Sequence, residues 1–204
     1  MASGERSRRR LPFWIELPIL VVIALVVALV VRQFAVQTFY IPSPSMENTL
    51  RVNDQILVNK IIYHLRPPHR GEVIVFEPPA SWRESLADKD FVKRLIGLPG
   101  DHVVCCNATG QVTINGYALT EPYLYPGNHP SDRRFDVRVP AGRLFVMGDH
   151  RSLSGDSRIH LDENSGTIPE GSVVGPAFAI YWPVNHWSGL PVPETFEHIP
   201  PPSR

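Results

Sequence analysis

The chain opens with a basic head followed by an apolar run. From Leu11 to Val31, twenty of twenty-one positions are apolar, with Glu16 the exception. As a helix the run is about 31 Å long, roughly the hydrocarbon thickness of a bilayer. The pattern predicts a transmembrane helix over 11–32. A cleaved signal peptide shares the charged start and apolar middle, but this run is too long for one and no small-x-small site follows it before Tyr40. After residue 33 no 3.6-residue periodicity is sustained. Short β-branched stretches bounded by Gly or Pro take over: 55–62, 72–76, 91–96, 102–106, 112–114, 143–147 and 173–182. Asn115-Gly116 between two apolar runs predicts a hairpin.

The predicted fold is mainly β, a single N-terminal transmembrane helix followed by a mostly antiparallel β-sheet domain with an inserted β-hairpin subdomain. The boundaries are a basic tail over 1–10, the helix over 11–32, the β-domain over 33–106 and 141–190, the Gly- and Pro-rich insertion over 107–140, and a Pro-rich C-terminal tail over 191–204.

Charge adds an orientation. Lys+Arg and Asp+Glu are 20 each, so there is no basic field for nucleic acid. The balance hides an asymmetry: Arg6, Arg8, Arg9 and Arg10 stand against Glu5 in the head, while Arg32 and Arg51 are the only cations shortly after the apolar run. An excess of cations before a span keeps that end in the cytoplasm and places the rest outside. The only lysines are Lys60, Lys89 and Lys93, which shortens any search for a catalytic lysine. Cys105 and Cys106 are adjacent, so no disulfide framework is implied and their redox state stays open.

The chain has no Gly-x-Ser-x-Gly elbow and no Ser-x-x-Lys. Its eight histidines are scattered without metal-ligand spacing, so neither metal nor cofactor is expected. Two segments remain that can carry chemistry. Tyr40-Ile-Pro-Ser-Pro-Ser-Met-Glu-Asn-Thr-Leu50 follows the apolar run directly. Asp90-Phe-Val-Lys-Arg-Leu-Ile-Gly-Leu-Pro-Gly-Asp101 holds a lysine in a strand. In an extended strand Phe91, Lys93 and Leu95 share one face and Val92, Arg94 and Ile96 the other, so the two cations are kept apart.

In this order after an apolar N-terminal run, and with Met147-Gly-Asp-His-Arg-Ser-Leu-Ser-Gly-Asp-Ser-Arg158 as a third block, the chain resembles the type I signal peptidases. The segment His160–Pro169 and the Cys105-Cys106 pair resemble the actinobacterial branch. The resemblance implies a membrane-bound serine endopeptidase with a Ser-Lys dyad that removes signal peptides from exported preproteins. Ser45 is then the nucleophile and Lys93 the general base. The Ser43 hydroxyl and Ser45 N–H become the oxyanion donors, and Ser154 orients the Lys93 amine. Asp149, Asp156, Arg158 and Arg94 form a supporting ion-pair shell, with Arg94 paired to Asp149. Phe39, Ile41, Met46, Leu50, Val75, Phe91 and Val92 line pockets for small side chains at positions −1 and −3 of the signal peptide. The implied setting is the plasma membrane, N-terminus cytoplasmic and catalytic domain outside, beside the protein export translocon.

A lysine base needs burial, because at its ordinary pKa only about one molecule in 2,500 is neutral at pH 7. Two positions depart from the pattern: His150 stands where asparagine is usual, and Ser152 where an acidic or amide residue is common. His150 close to Ser154 leaves a Ser-His variant open, and an anchored β-rich binding module is the reading from a different class.

Overall fold

The computed structural model describes residues 12–83, 85 and 89–202. The basic tail expected over 1–10, with its four arginines, lies outside them. The chain begins with helix α1 (Phe13–Phe34) and passes directly into β1 (Val36–Tyr40). Among the described residues, no helix is long and apolar enough to cross a membrane. The segment expected over 11–32 as a transmembrane helix is a helix over 13–34.

Among the described residues eleven further strands follow: β2 (Gln55–Asn59), β3 (Val73–Phe76), β4 (Phe91–Gly97), β5 (His102–Cys105), β6 (Val112–Ile114), β7 (Tyr117–Ala118), β8 (Phe135–Arg138), β9 (Arg143–Met147), β10 (Ile168–Pro169), β11 (Val173–Trp182) and β12 (Ser188–Gly189). The main sheet runs β1-β2-β11-β3-β4-β9-β10, with β12 added beside β11, and a second sheet runs β7-β6-β5-β8. Among the described residues every pairing is antiparallel.

The main sheet is covered on both faces, which explains why β3 is apolar throughout. Val73 and Val75 join a core with Met46, Leu50, Ile56 and Ile180, while Ile74 and Phe76 join another with Trp82, Leu95 and Leu144. The two-residue alternation of a strand assigns each residue to its side. The hairpin β6–β7 turns on Asn115 and Gly116, at φ 52° and 82°, the left-handed pair that a two-residue type I′ turn requires.

The second sheet is larger than the expected insertion. It takes in β5, so the boundary placed at residue 107 falls inside it. Its core also includes Phe196 and Ile199 from the segment expected as a Pro-rich tail. Packing explains the difference: a four-stranded sheet with one apolar face needs a cover, and the C-terminal segment supplies part of it. Cys105 and Cys106 are joined by a disulfide at the end of β5.

Candidate active site

Ser45 lies on a single 3₁₀ turn, Pro44–Met46, just beyond β1. Pro44 occupies the first position of that turn, where its fixed φ is favourable and its missing N–H costs nothing. Ser43 before it is extended, at φ −123° and ψ 155°, as a residue preceding proline should be. Ser45 is 7% exposed.

Lys93 sits on β4, paired with Ile74 of β3, and is 4% exposed. Its Nζ lies 2.7 Å from Ser45 Oγ and 5.5 Å from the centre of the Phe91 ring. Burial lowers the Lys93 pKa to about 8; Arg158 also lowers it, while Asp156 and Asp149 oppose. A lysine in this state is neutral in roughly a tenth of molecules at pH 7, enough to accept a proton from a hydroxyl in contact with it. The Ser43 hydroxyl stands 3.3 Å from Ser45 Oγ.

Arg94, the next residue on β4, projects to the opposite face and is equally buried. Its guanidinium grips Asp149 through Nε–Oδ1 at 2.9 Å and Nη2–Oδ2 at 2.6 Å. It also donates to the Gly71 carbonyl at 2.7 Å and lies 4.2 Å from the centre of the Tyr123 ring. Arg158 holds Asp156 through Nε–Oδ1 at 2.9 Å and Nη2–Oδ2 at 2.8 Å, and Asp156 accepts the Gly148 N–H at 2.9 Å. Burial alone would raise the Asp156 pKa; Arg158 and the Gly148 N–H outweigh it and hold the carboxyl below its usual range. Arg151, unassigned by the sequence, pairs with Glu121 of the second sheet's long connection and donates to the Gly148 carbonyl at 2.9 Å.

Ser154 departs from expectation. It is 8% exposed, but its hydroxyl is not bonded to the Lys93 amine and, among the described residues, has no hydrogen-bond partner. It packs instead against Gly148, where a Cβ would come 2.2 Å from Ser154 Oγ and 2.5 Å from the Ser45 carbonyl oxygen. Gly148 therefore has to lack a side chain for the Ser45 turn and the Ser154 loop to approach this closely.

A cleft of about 530 Å³ opens at Ser45 and Lys93. Of the seven expected pocket residues, Phe39, Ile41, Met46, Phe91 and Val92 line it. Leu50 and Val75 do not: both are wholly buried in the core beneath it, because they lie on the packed face of their segments. The cleft is completed by Tyr40, Pro42, Trp82, Lys89, Asp90, Leu153 and Gly155. The sequence offered little signal for Trp82 or Leu153, which come from segments distant in the chain. The His150 ring bonds Glu47 and stacks on Tyr125. Among the described residues, no three His, Cys, Asp or Glu side chains are grouped so as to hold a metal ion.

The profile of the family described as "Signal peptidase, peptidase S26" matches residues 14–182, and the chain belongs to that family of hydrolases. Within it the chain is a serine endopeptidase of the signal peptidase I type. It is 36% identical to the probable signal peptidase I of Mycobacterium leprae, across 91% of this chain and 82% of that one. It is 39% identical to the probable signal peptidase I-2 of Synechocystis, across 84% and 74% respectively. Signal peptidase I of Mycobacterium tuberculosis is 36% identical, again across 84% and 74%. The actinobacterial resemblance thus has relatives behind it.

Proposed function

We propose that this chain cleaves signal peptides from exported preproteins with a Ser45–Lys93 dyad while anchored in a membrane by α1. One observation carries the dyad: a buried lysine amine, lowered to about 8, stands 2.7 Å from a serine hydroxyl at the floor of an open cleft. Neutral Lys93 takes the Ser45 proton as Oγ attacks the scissile carbonyl, then passes it to the departing amine of the mature protein. A water activated by the same lysine releases the acyl group. The Ser45 N–H and the Ser43 hydroxyl receive the oxyanion. Arg94–Asp149 and Asp156–Arg158 hold the surrounding loops without touching substrate, and Ser154 supports the site through its contact with Gly148.

The cleft walls at Phe39, Ile41, Met46, Phe91 and Val92 leave room for small side chains at −1 and −3. The anchor is supported by the character of α1. Its 22 residues span about 33 Å, its only charges are Glu16 and Arg32, and Leu17, Leu20, Val22, Leu25 and Val27 are each about half exposed. A valine-rich helix with that surface is a poor helix in water and a good one in lipid. The enzyme then works beside the export translocon, its cleft at the outer face. The Ser-His variant has no comparable support, since the His150 ring is engaged by Glu47 and Tyr125.

The test is incubation of the detergent-solubilised full chain with a synthetic preprotein, followed by mass spectrometry of the products. A single cut after a small residue, lost in Ser45→Ala and Lys93→Ala, is expected. Cleavage by Ser45→Ala would overturn the proposal.

A further inference from the structure

Behind the nucleophile three distant segments meet, and the mechanism above uses none of the contacts between them. They are the turn that carries Ser45, the loop after β9, and the connection between β7 and β8. His150 stands at their junction, 6% exposed. Its backbone N–H donates to the Ser45 carbonyl at 3.1 Å. Its ring lies flat on Tyr125, centroids 3.9 Å apart and planes 10° from parallel. Its Nδ1 is 3.2 Å from Glu47 Oε2, within hydrogen-bond distance. Two bonds close the triangle: Asn48 Nδ2 donates to the Leu124 carbonyl at 3.0 Å, and the Tyr125 N–H to the Asp149 carbonyl at 3.1 Å.

We propose that His150 is a positioning residue that clasps the nucleophile turn to the second sheet, so that Tyr125 and Glu47 help set where Ser45 Oγ stands relative to Lys93. The inference rests on the Ser-Lys reading. Its physical ground is the weakness of the element that carries Ser45. A three-residue 3₁₀ turn has little rigidity of its own, and Asn48 just beyond it is at φ 84°, so the turn depends on its neighbours for its geometry. A reacting oxygen has to be held within about 0.5 Å of its productive position.

The experiment compares His150→Ala, His150→Asn, Tyr125→Leu and His150→Ala/Tyr125→Leu in the detergent-solubilised full chain. It measures kcat and KM on a synthetic preprotein and amide hydrogen exchange over residues 46–50. His150→Ala should lower kcat by about 10- to 100-fold, with KM within about twofold and the inflection of the pH profile unmoved. His150→Asn should lose a similar amount, and the double variant no more than His150→Ala alone, as expected of groups acting as one unit. Exchange over 46–50 should quicken in every variant. Wild-type kcat in His150→Ala or His150→Asn, or multiplied losses in the double variant, would overturn the clasp. If the wild-type chain cleaves nothing, the Ser-Lys reading has failed; the clasp is then decided by exchange alone, and unchanged protection in His150→Ala refutes it.

Discussion

Lys93 shows how one residue couples stability to activity. Its pKa of about 8 in the fold, against about 10.4 in an unfolded chain, amounts to a penalty of about 3 kcal/mol at pH 7. Below about pH 8 both states are protonated and the penalty is complete. Between about 8 and 10.4 the unfolded chain binds more protons, so this group makes stability rise with pH. Denaturant titrations should therefore find Lys93→Met more stable than wild type at pH 7, with the gain shrinking toward pH 10. Activity has the same sign: kcat/KM should climb about tenfold per pH unit below the inflection near 8 and then level off. Lys93→Arg should abolish it, since a guanidinium keeps its proton. Ser45 and Lys93 could be proposed from the sequence because their segments stand in the order of a known family, and the fold brings the two side chains within 2.7 Å of each other. Leu50 and Val75 were misplaced because an apolar residue reads alike whether it faces a cleft or a core.

Strand β4 carries two buried cations back to back, and its alternation sends Lys93 toward Ser45 and Arg94 toward Asp149. Asp149 is wholly buried, so Arg94→Met strands a carboxylate out of water and should cost about 3–5 kcal/mol, whereas Arg94→Met/Asp149→Leu should recover much of it. Thermal melts of the two variants check this; equal losses would show that the carboxylate is satisfied without Arg94. Strands 112–114, 143–147 and 173–182 match their predicted limits because Gly and Pro bound apolar runs. β1 was missed because it continues from the apolar helix almost without a break. β10 and β12 have two residues each, too short for any periodicity, and β8 alternates inside a stretch whose Gly and Pro suggested a loop.

Across the whole molecule, the second sheet and the C-terminal segment brace the site from behind. Phe196 packs in the second core beside Tyr123, ring centres 6.0 Å apart. It also crowds Gly71, whose absent Cβ would fall 2.5 Å from its ring, and the Gly71 carbonyl receives Arg94. Phe196→Ala should destabilise by about 3–5 kcal/mol and lower the temperature at which cleavage is lost; a melt within a degree or two of wild type would make the segment a mere appendage. The proposed topology is read with protease on intact cells, which should digest everything beyond α1. A domain attacked only in inverted vesicles would reverse the orientation.

Local order in the sequence was enough for the apolar helix, the mainly β body and the Asn115-Gly116 turn, because each is encoded within a few consecutive residues; the proposed Ser45–Lys93 pair came instead from the ordered resemblance of three separate segments. Folding alone brought Glu121 to Arg151, Tyr125 to His150, Trp82 and Leu153 to the cleft, and Phe196 to the second core. Glu121 and Arg151, Tyr125 and His150, and Phe196 and its neighbour Tyr123 lie 25 residues or more apart, as Trp82 and Leu153 do from Ser45, and no short-range pattern specifies a contact formed only when two sheets and a terminal segment close on one another. The same closure sets the Ser154 hydroxyl against Gly148 without a hydrogen bond to Lys93, since the fit of three loops, rather than any one string of residues, sets where a buried side chain comes to rest.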